Sequence, residues 1–297
     1  MSPARRGMGR AAKPGRRGGP PPTRITRQVP ARGSVPAGPR GRRRGADRSL
    51  GGDQVEGRQA VRELLAAGRR PVREVWLSTE RDDAPILRDI VELAESSRVP
   101  VREVGRGRFD AQARCEAPQG VLALAAPLPE ADLDDLVAGQ GPWNRPGPPF
   151  LVALDGVTDP GNLGAVLRSA ECAGATGAVL PKHRAVHVTP AATKAAAGAV
   201  EHLPIALVGG LPSAIARLRD AGVHVVGLDG AAPTPLHDLA GATGPVCLVL
   251  GAEGRGLSRL VRERCDQVVA IPMRGRLGSL NVAAAAALAC FEIARRR

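Results

Sequence analysis

Three apolar runs in the second half of the chain each stop at glycine and polar residues, and this pattern restricts the fold more tightly than any other feature. They are Leu154-Asp-Gly-Val-Thr-Asp-Pro-Gly-Asn-Leu-Gly-Ala-Val-Leu-Arg-Ser-Ala-Glu171, Leu248-Val-Leu-Gly-Ala-Glu-Gly-Arg-Gly-Leu257 and Ile271-Pro-Met-Arg-Gly-Arg-Leu-Gly-Ser-Leu-Asn-Val282. A buried strand ending in a ligand-holding loop has this form. Three such loops issuing from one sheet can converge on one pocket.

The surrounding periodicity supplies the sheet. Strands are expected at Leu151–Leu154, Ala178–Leu180, Ile205–Leu207, Val223–Leu228, Val246–Leu250 and Gln267–Ile271. Helices are expected at Asn162–Ala173, Ala192–Ala199, Leu211–Ala221, Leu257–Arg264 and Ser279–Ala294. Strand–helix alternation of this kind implies a parallel sheet covered on both faces.

Residues 49–126 read as a separate small α/β domain. Its expected elements are a helix at Val55–Ala67, a strand at Val72–Leu77, a helix at Ala84–Ser97, and strands at Val99–Val104 and Val121–Ala126. That order suggests a three-layer module. Residues 127–149 hold six prolines and read as an extended linker with one helical turn at Ala131–Ala138. The large domain then occupies 150–297.

Charge separates the remaining segment. Residues 1–48 carry fourteen Lys and Arg against one acid, Asp47, so the whole net charge of +13 resides there and 49–297 balances to zero. This Arg/Gly/Pro-rich leader cannot bury enough apolar surface to order itself. It would attract polyphosphate without reading sequence, or serve only as a solvated leader. The chain has three Phe, two Trp and no Tyr, which disfavours base stacking on aromatic platforms. Five singly scattered cysteines form no Cys-x-x-Cys pair, fitting a reducing cytoplasm. No run of about 18 apolar residues indicates a membrane span, and the Arg-rich start lacks the apolar stretch of a secretory signal. His183, His187, His202, His224 and His237 show no metal-ligand spacing, so no metal is expected.

In the first block, Asp159-Pro160-Gly161 makes a turn and Asn162 can cap the helix bearing Arg168 and Glu171. By itself Arg168 reads as a surface partner of Glu171. The glycines of Gly251-Ala-Glu-Gly-Arg-Gly256 do not follow the dinucleotide fingerprint, and an ordinary strand-to-helix turn would explain them. The third block opens a long Ala-rich helix that helix propensity alone would account for.

The order and wording of the three blocks resemble the SpoU (TrmH) family of RNA ribose 2′-O-methyltransferases, and most of all its RlmB-like branch, which modifies a guanosine of 23S rRNA. The resemblance covers roughly residues 54–297. It implies an α/β SPOUT domain with a parallel sheet and a deep trefoil knot, preceded by a small L30e-like RNA-binding domain. Glu56-Gly57 and Gln119-Gly120 sit at the short motifs of that domain, although Pro118 stands where the family commonly has His. The implied cofactor is S-adenosyl-L-methionine, bound by Leu228, Leu250, Gly251, Ile271, Met273 and Leu280. The implied catalytic set is Asn162, Arg168, Glu253, Ser279 and Asn281. The implied partners are RNA and a second copy of the chain. A tRNA target keeps the fold, but tRNA-specific relatives generally lack the small domain. A non-catalytic rRNA-binding factor is the other alternative, and the intact polar set argues against it.

Overall fold

Each of the two sheets is packed on both faces, and the apolar residues of its central strands follow from that. The structure, a computed structural model, describes residues 49–140, 146–182 and 187–297, all within one compact unit, Arg44–Arg297. The expected disorder of 1–48, the centre of the proline-rich stretch and His183 lie outside the described residues.

The small domain comprises β1 (Gln54–Glu56), α1 (Arg58–Ala67), β2 (Val72–Ser78), α2 (Pro85–Ser96), β3 (Val101–Val104), α3 (Arg106–Gln112) and β4 (Val121–Ala125). Its mixed sheet runs β1-β4-β2-β3. Val75, Leu77, Val121 and Ala123 pack under α1 and α2, whereas Trp76 and Leu122 point the other way onto Phe109 of α3. This is the period-two alternation of a strand between two layers. The helix expected to begin at Val55 starts at Arg58, because Gly57 turns the chain at φ 94° after Gln54–Glu56 has joined the sheet. Helix α3 was not legible, since Phe109 is its one buried residue.

The large domain comprises β5 (Glu130–Ala131), α4 (Leu133–Ala138), β6 (Phe150–Asp155), α5 (Pro160–Cys172), β7 (Gly177–Pro181), α6 (Pro190–Ala195), β8 (Ile205–Val208), α7 (Leu211–Asp220), β9 (His224–Leu228), β10 (Thr234–Pro235), β11 (Val246–Gly251), α8 (Arg259–Arg264), β12 (Gln267–Ala270) and α9 (Val282–Arg296). Every neighbouring pair in the order β10-β12-β9-β11-β6-β7-β8-β5 is parallel. Val152, Leu154, Leu248 and Leu250 pack against α5 and α9. Leu151, Ala153, Cys247 and Val249 pack against α7 and α8. Both faces are buried, so the strands read as unbroken apolar runs.

Several boundaries depart from expectation: the helix expected at Ala192–Ala199 runs Pro190–Ala195, and that expected from Leu257 starts at Arg259. Glu130–Ala131 pairs with β8 at the far edge of the large sheet, and Leu133 and Leu136 of α4 enter its core. The last helix begins at Val282 rather than Ser279, with Asn281 as its cap.

β6, β7 and β8 wind in one direction; the chain then crosses back to β9, and β11 inserts between β9 and β6. Winding therefore reverses beside β6. In open parallel sheets ligands bind outside the carboxyl ends of the strands at such a reversal.

Candidate active site

The loop after β11 owes its shape to glycine. Ala252 and Gly256 form an antiparallel bridge, the Ala252 N–H donating to the Gly256 carbonyl at 3.2 Å and the Gly256 N–H to the Ala252 carbonyl at 2.9 Å. A Cβ on Gly251 would overlap the Gly256 carbonyl. The glycine expected to let backbone approach a ligand thus first lets the loop fold onto its own strand. Gly254 and Gly256 hold positive φ of 74° and 64°, the left-handed region that favours glycine.

Strand-end carboxylates fasten the neighbouring loops. Asp155 of β6 accepts the Ser258 N–H at 2.6 Å, where α8 begins. Asp229, just after β9, accepts the Ala231 N–H at 2.9 Å and pairs with Arg262 of α8 at 2.6 Å.

Helices α5 and α9 bring their N-termini together. Asp159, rather than Asn162, caps α5, its Oδ1 accepting the Asn162 N–H at 2.7 Å, with Pro160 in the first turn where its missing N–H costs nothing. Asn281 caps α9 by accepting the Ala283 N–H at 2.8 Å. The freed side chain of Asn162 accepts from Asn281 Nδ2 at 2.9 Å, and Glu253 Oε1 accepts from the same amide nitrogen at 2.7 Å. Glu253 is exposed, and its carboxylate beside the α9 N-terminus is favoured by the helix dipole.

Beside this cluster lies a cavity of about 380 Å³ at the ends of β9, β11 and β12. Leu228, Leu250, Gly251, Ile271, Met273 and Leu280, expected from sequence as one set, all line it, as do Glu253 and Ser279. Its size falls in the range of about 300–1,000 Å³ usual for small-molecule sites.

Arg168 stands apart. It is exposed, and six residues beyond Asn162 place it about 120° from the Asn162 face and roughly 9 Å further along α5. Asp229 was missed, although it lines the cavity with a side chain only 12% exposed. Its signal was a fourth apolar run, Val223–Leu228, ending at Asp229-Gly230. Among the described residues no cluster of His, Cys, Asp and Glu could hold a metal.

Known proteins share this architecture. Residues 149–291 match the SpoU rRNA methylase family, and 54–131 match the RNA 2′-O ribose methyltransferase substrate-binding domain. The chain is 40% identical over 248 residues to the 23S rRNA (guanosine-2′-O-)-methyltransferase RlmB of Pseudomonas syringae pv. tomato, covering 82% of this chain and 96% of that protein. Among solved structures, AviRb, the SpoU methyltransferase of Streptomyces viridochromogenes in complex with AdoMet, superposes with a TM-score of 0.67 at 28% identity, over 82% of this chain and 89% of that one. The AdoMet-bound rRNA methyltransferase of Sinorhizobium meliloti gives 0.65 at 27% identity, over 82% and 87%. The chain belongs to the SpoU family of RNA 2′-O-ribose methyltransferases.

Proposed function

We infer that the protein transfers a methyl group from S-adenosylmethionine to the ribose 2′-hydroxyl of a guanosine in 23S rRNA. The observation that carries this reading is the cavity between the loops after β9, β11 and β12, in a chain 40% identical to an enzyme named for that reaction. The residues present fit the cofactor. Glycines put backbone N–H and C=O groups on the cavity wall, and Leu228, Leu250, Ile271 and Leu280 supply apolar surface for an adenine. Glu253 brings negative charge to the wall, whereas that of Asp229 is balanced by Arg262, and Arg255 lines the same cavity. When bound, S-adenosylmethionine supplies a methyl group on a positively charged sulfur.

The protein's own task is alignment and charge control. Asn281 holds Glu253 and Asn162 in one hydrogen-bonded set, with Ser279 beside it on the cavity wall. A guanidinium stays protonated at any working pH, so Arg168 does not take the hydroxyl proton. It clamps the neighbouring phosphate and stabilises negative charge developing on the ribose oxygen. The loops 252–257 and 272–281 are joined through Glu253 and Asn281, and the trefoil knot enters this reading from the family membership.

The active form is a C2 homodimer. Ala284, Leu288 and Phe291 make an exposed stripe at helical spacing on α9, with Leu288 and Phe291 about half exposed. The basic leader adds nonspecific RNA affinity. The setting is the cytoplasm: the five cysteines are unpaired, and among the described residues no helix is long and apolar enough to cross a membrane.

Calorimetric titration of the whole protein with S-adenosylmethionine tests the cofactor, with Ala285→Phe as the control that fills the cavity from α9. Binding by the parent and none by the folded variant is expected; equal binding by both removes the cavity from the reading. Mapping 2′-O-methyl groups on rRNA from a deletion strain tests the target, and an unchanged 23S rRNA pattern overturns it.

A further inference from the structure

A buried ion pair lies outside the cavity, where the chain passes between its two domains. It enters the small domain through Gly51 and Gly52 and leaves through Ala126. These crossings form a two-stranded neck: the Leu128 N–H donates to the Gly51 carbonyl at 2.9 Å, and the Ala125 N–H to the Asp53 carbonyl at 2.9 Å. Arg70 lies across this neck. Its guanidinium donates to the Gly52 carbonyl at 2.5 Å and to the Ala126 carbonyl, one on each crossing strand. Its other edge makes a two-pronged pair with Glu201 of the large domain, Nε to Oε2 at 2.9 Å and Nη2 to Oε1 at 2.5 Å. The side chains of Arg70 and Glu201 are 3% and 2% exposed. One guanidinium thus ties the entry strand, the exit strand and the large domain together.

The segment receiving it is built for docking. Glu201 belongs to a stretch that begins with α6 and runs to His202, from which Lys194 donates to the Glu116 carbonyl at 2.6 Å and His202 pairs with Glu63 at 2.8 Å. Gly198, at φ 87°, lets Glu63 come so close that a Cβ there would overlap it. On its other side α6 packs against α5: a Cβ on Gly164 would overlap the Ala192 carbonyl. Helix α5 carries Asn162 and Arg168. The small domain is therefore referenced, through one short helix, to the helix that bears the candidate catalytic side chains.

We propose that Arg70 and Glu201 are positioning residues for the RNA reaction, holding the substrate-binding domain at one fixed distance and angle from the methyl-donor cavity. The proposal rests on the methyltransferase reading above. An apolar pair of similar size would fill the space without fixing an angle, whereas a guanidinium–carboxylate fork fixes both partners in one plane. The target loop of the RNA is then presented by a rigid two-domain body.

The test uses the whole chain as parent, Glu201→Gln, Arg70→Lys, and the double variant Arg70→Met/Glu201→Leu, which keeps volume and removes both charges. Three quantities are read: hydrogen exchange of the neck amides Gly52 and Leu128, affinity for S-adenosylmethionine alone, and KM and kcat on unmodified 23S rRNA transcript. In the folded double variant we expect neck exchange at least about tenfold faster, cofactor affinity unchanged, and KM for RNA raised about tenfold, since misplacement of roughly 1 Å can cost up to 100-fold. Arg70→Lys, which keeps the charge and loses the fork, is expected to fall between. A folded double variant with parental KM overturns the proposal whether or not its neck loosens, and so does unchanged neck exchange. If the parent itself binds no S-adenosylmethionine, the methyltransferase reading fails, while neck exchange still reports on the pin.

Discussion

The neck and the cavity use the same kinds of side chain in opposite ways. At the neck the Arg70–Glu201 pair is out of water and saturated with partners: Arg70 donates to two carbonyls and one carboxylate and has almost no exposed surface. At the cavity Glu253, Ser279 and Asn281 are exposed, and Asn281 and Glu253 share a small hydrogen-bonded set. Saturation fixes geometry and leaves nothing for a ligand. Exposure keeps hydrogen-bonding capacity open to a substrate and contributes little to stability. The same contrast distinguishes Asp229, paired with Arg262 at the cavity wall, from Glu253 at its mouth.

Removing one carboxylate from each region gives the largest separation. Glu201→Ala strands a buried guanidinium and should cost about 3–5 kcal/mol, whereas Glu253→Ala removes an exposed group and should cost no more than about 0.5 kcal/mol. Urea unfolding at equal protein concentration measures both, and equal losses would erase the distinction. Next is a change that affects rate without stability. Arg168→Ala should unfold at parental denaturant concentration yet lose about 100–1,000-fold in single-turnover methylation at saturating RNA. A parental rate would take Arg168 out of the chemistry.

Asn281 belongs to both regimes, because it caps α9 and holds Glu253. Asn281→Ala should lose about 1 kcal/mol of stability. Asn281→Asp keeps an oxygen for the Ala283 N–H but replaces the amide donor with a carboxylate facing Glu253. It should retain most of the cap and lose methyl transfer, so a thermal melt and a rate measurement on the two variants separate capping from site assembly. A last contrast, which leaves stability and rate untouched, concerns thiols. Burial pushes the Cys290 thiol up to about 12 and raises that of Cys247 as well, while Cys172 is exposed. Alkylation followed by mass spectrometry should therefore label Cys172 at least about 100-fold faster than either buried thiol. Comparable labelling of Cys290 would mean that α9 opens from the sheet.

The cavity was more legible than the neck, and the reason is local. The residues lining it lie where apolar runs break, and each break is visible within about ten residues of sequence. Arg70 and Glu201 carry no such mark. Pro71 follows the one and Ala-rich helix precedes the other, and either charge reads as an ordinary solvated residue. The β5 edge strand escaped notice because two residues just after Pro127 and Pro129 have no period to detect.

The chain's chemistry by itself determined that a parallel sheet forms, with loops at its strand ends able to hold a ligand. Strands buried on two faces must be continuously apolar, and loops folded tightly against them must carry glycine. Only the tertiary structure decided which loops meet. It inserted β11 between β9 and β6, set Asn281 against Asn162 across 119 positions, and paired Arg70 with Glu201 across 131. Such pairings depend on the order in which strands are added and on where buried charge finds a partner. Both are properties of the assembled core, and neither is written in any stretch of sequence short enough to read alone.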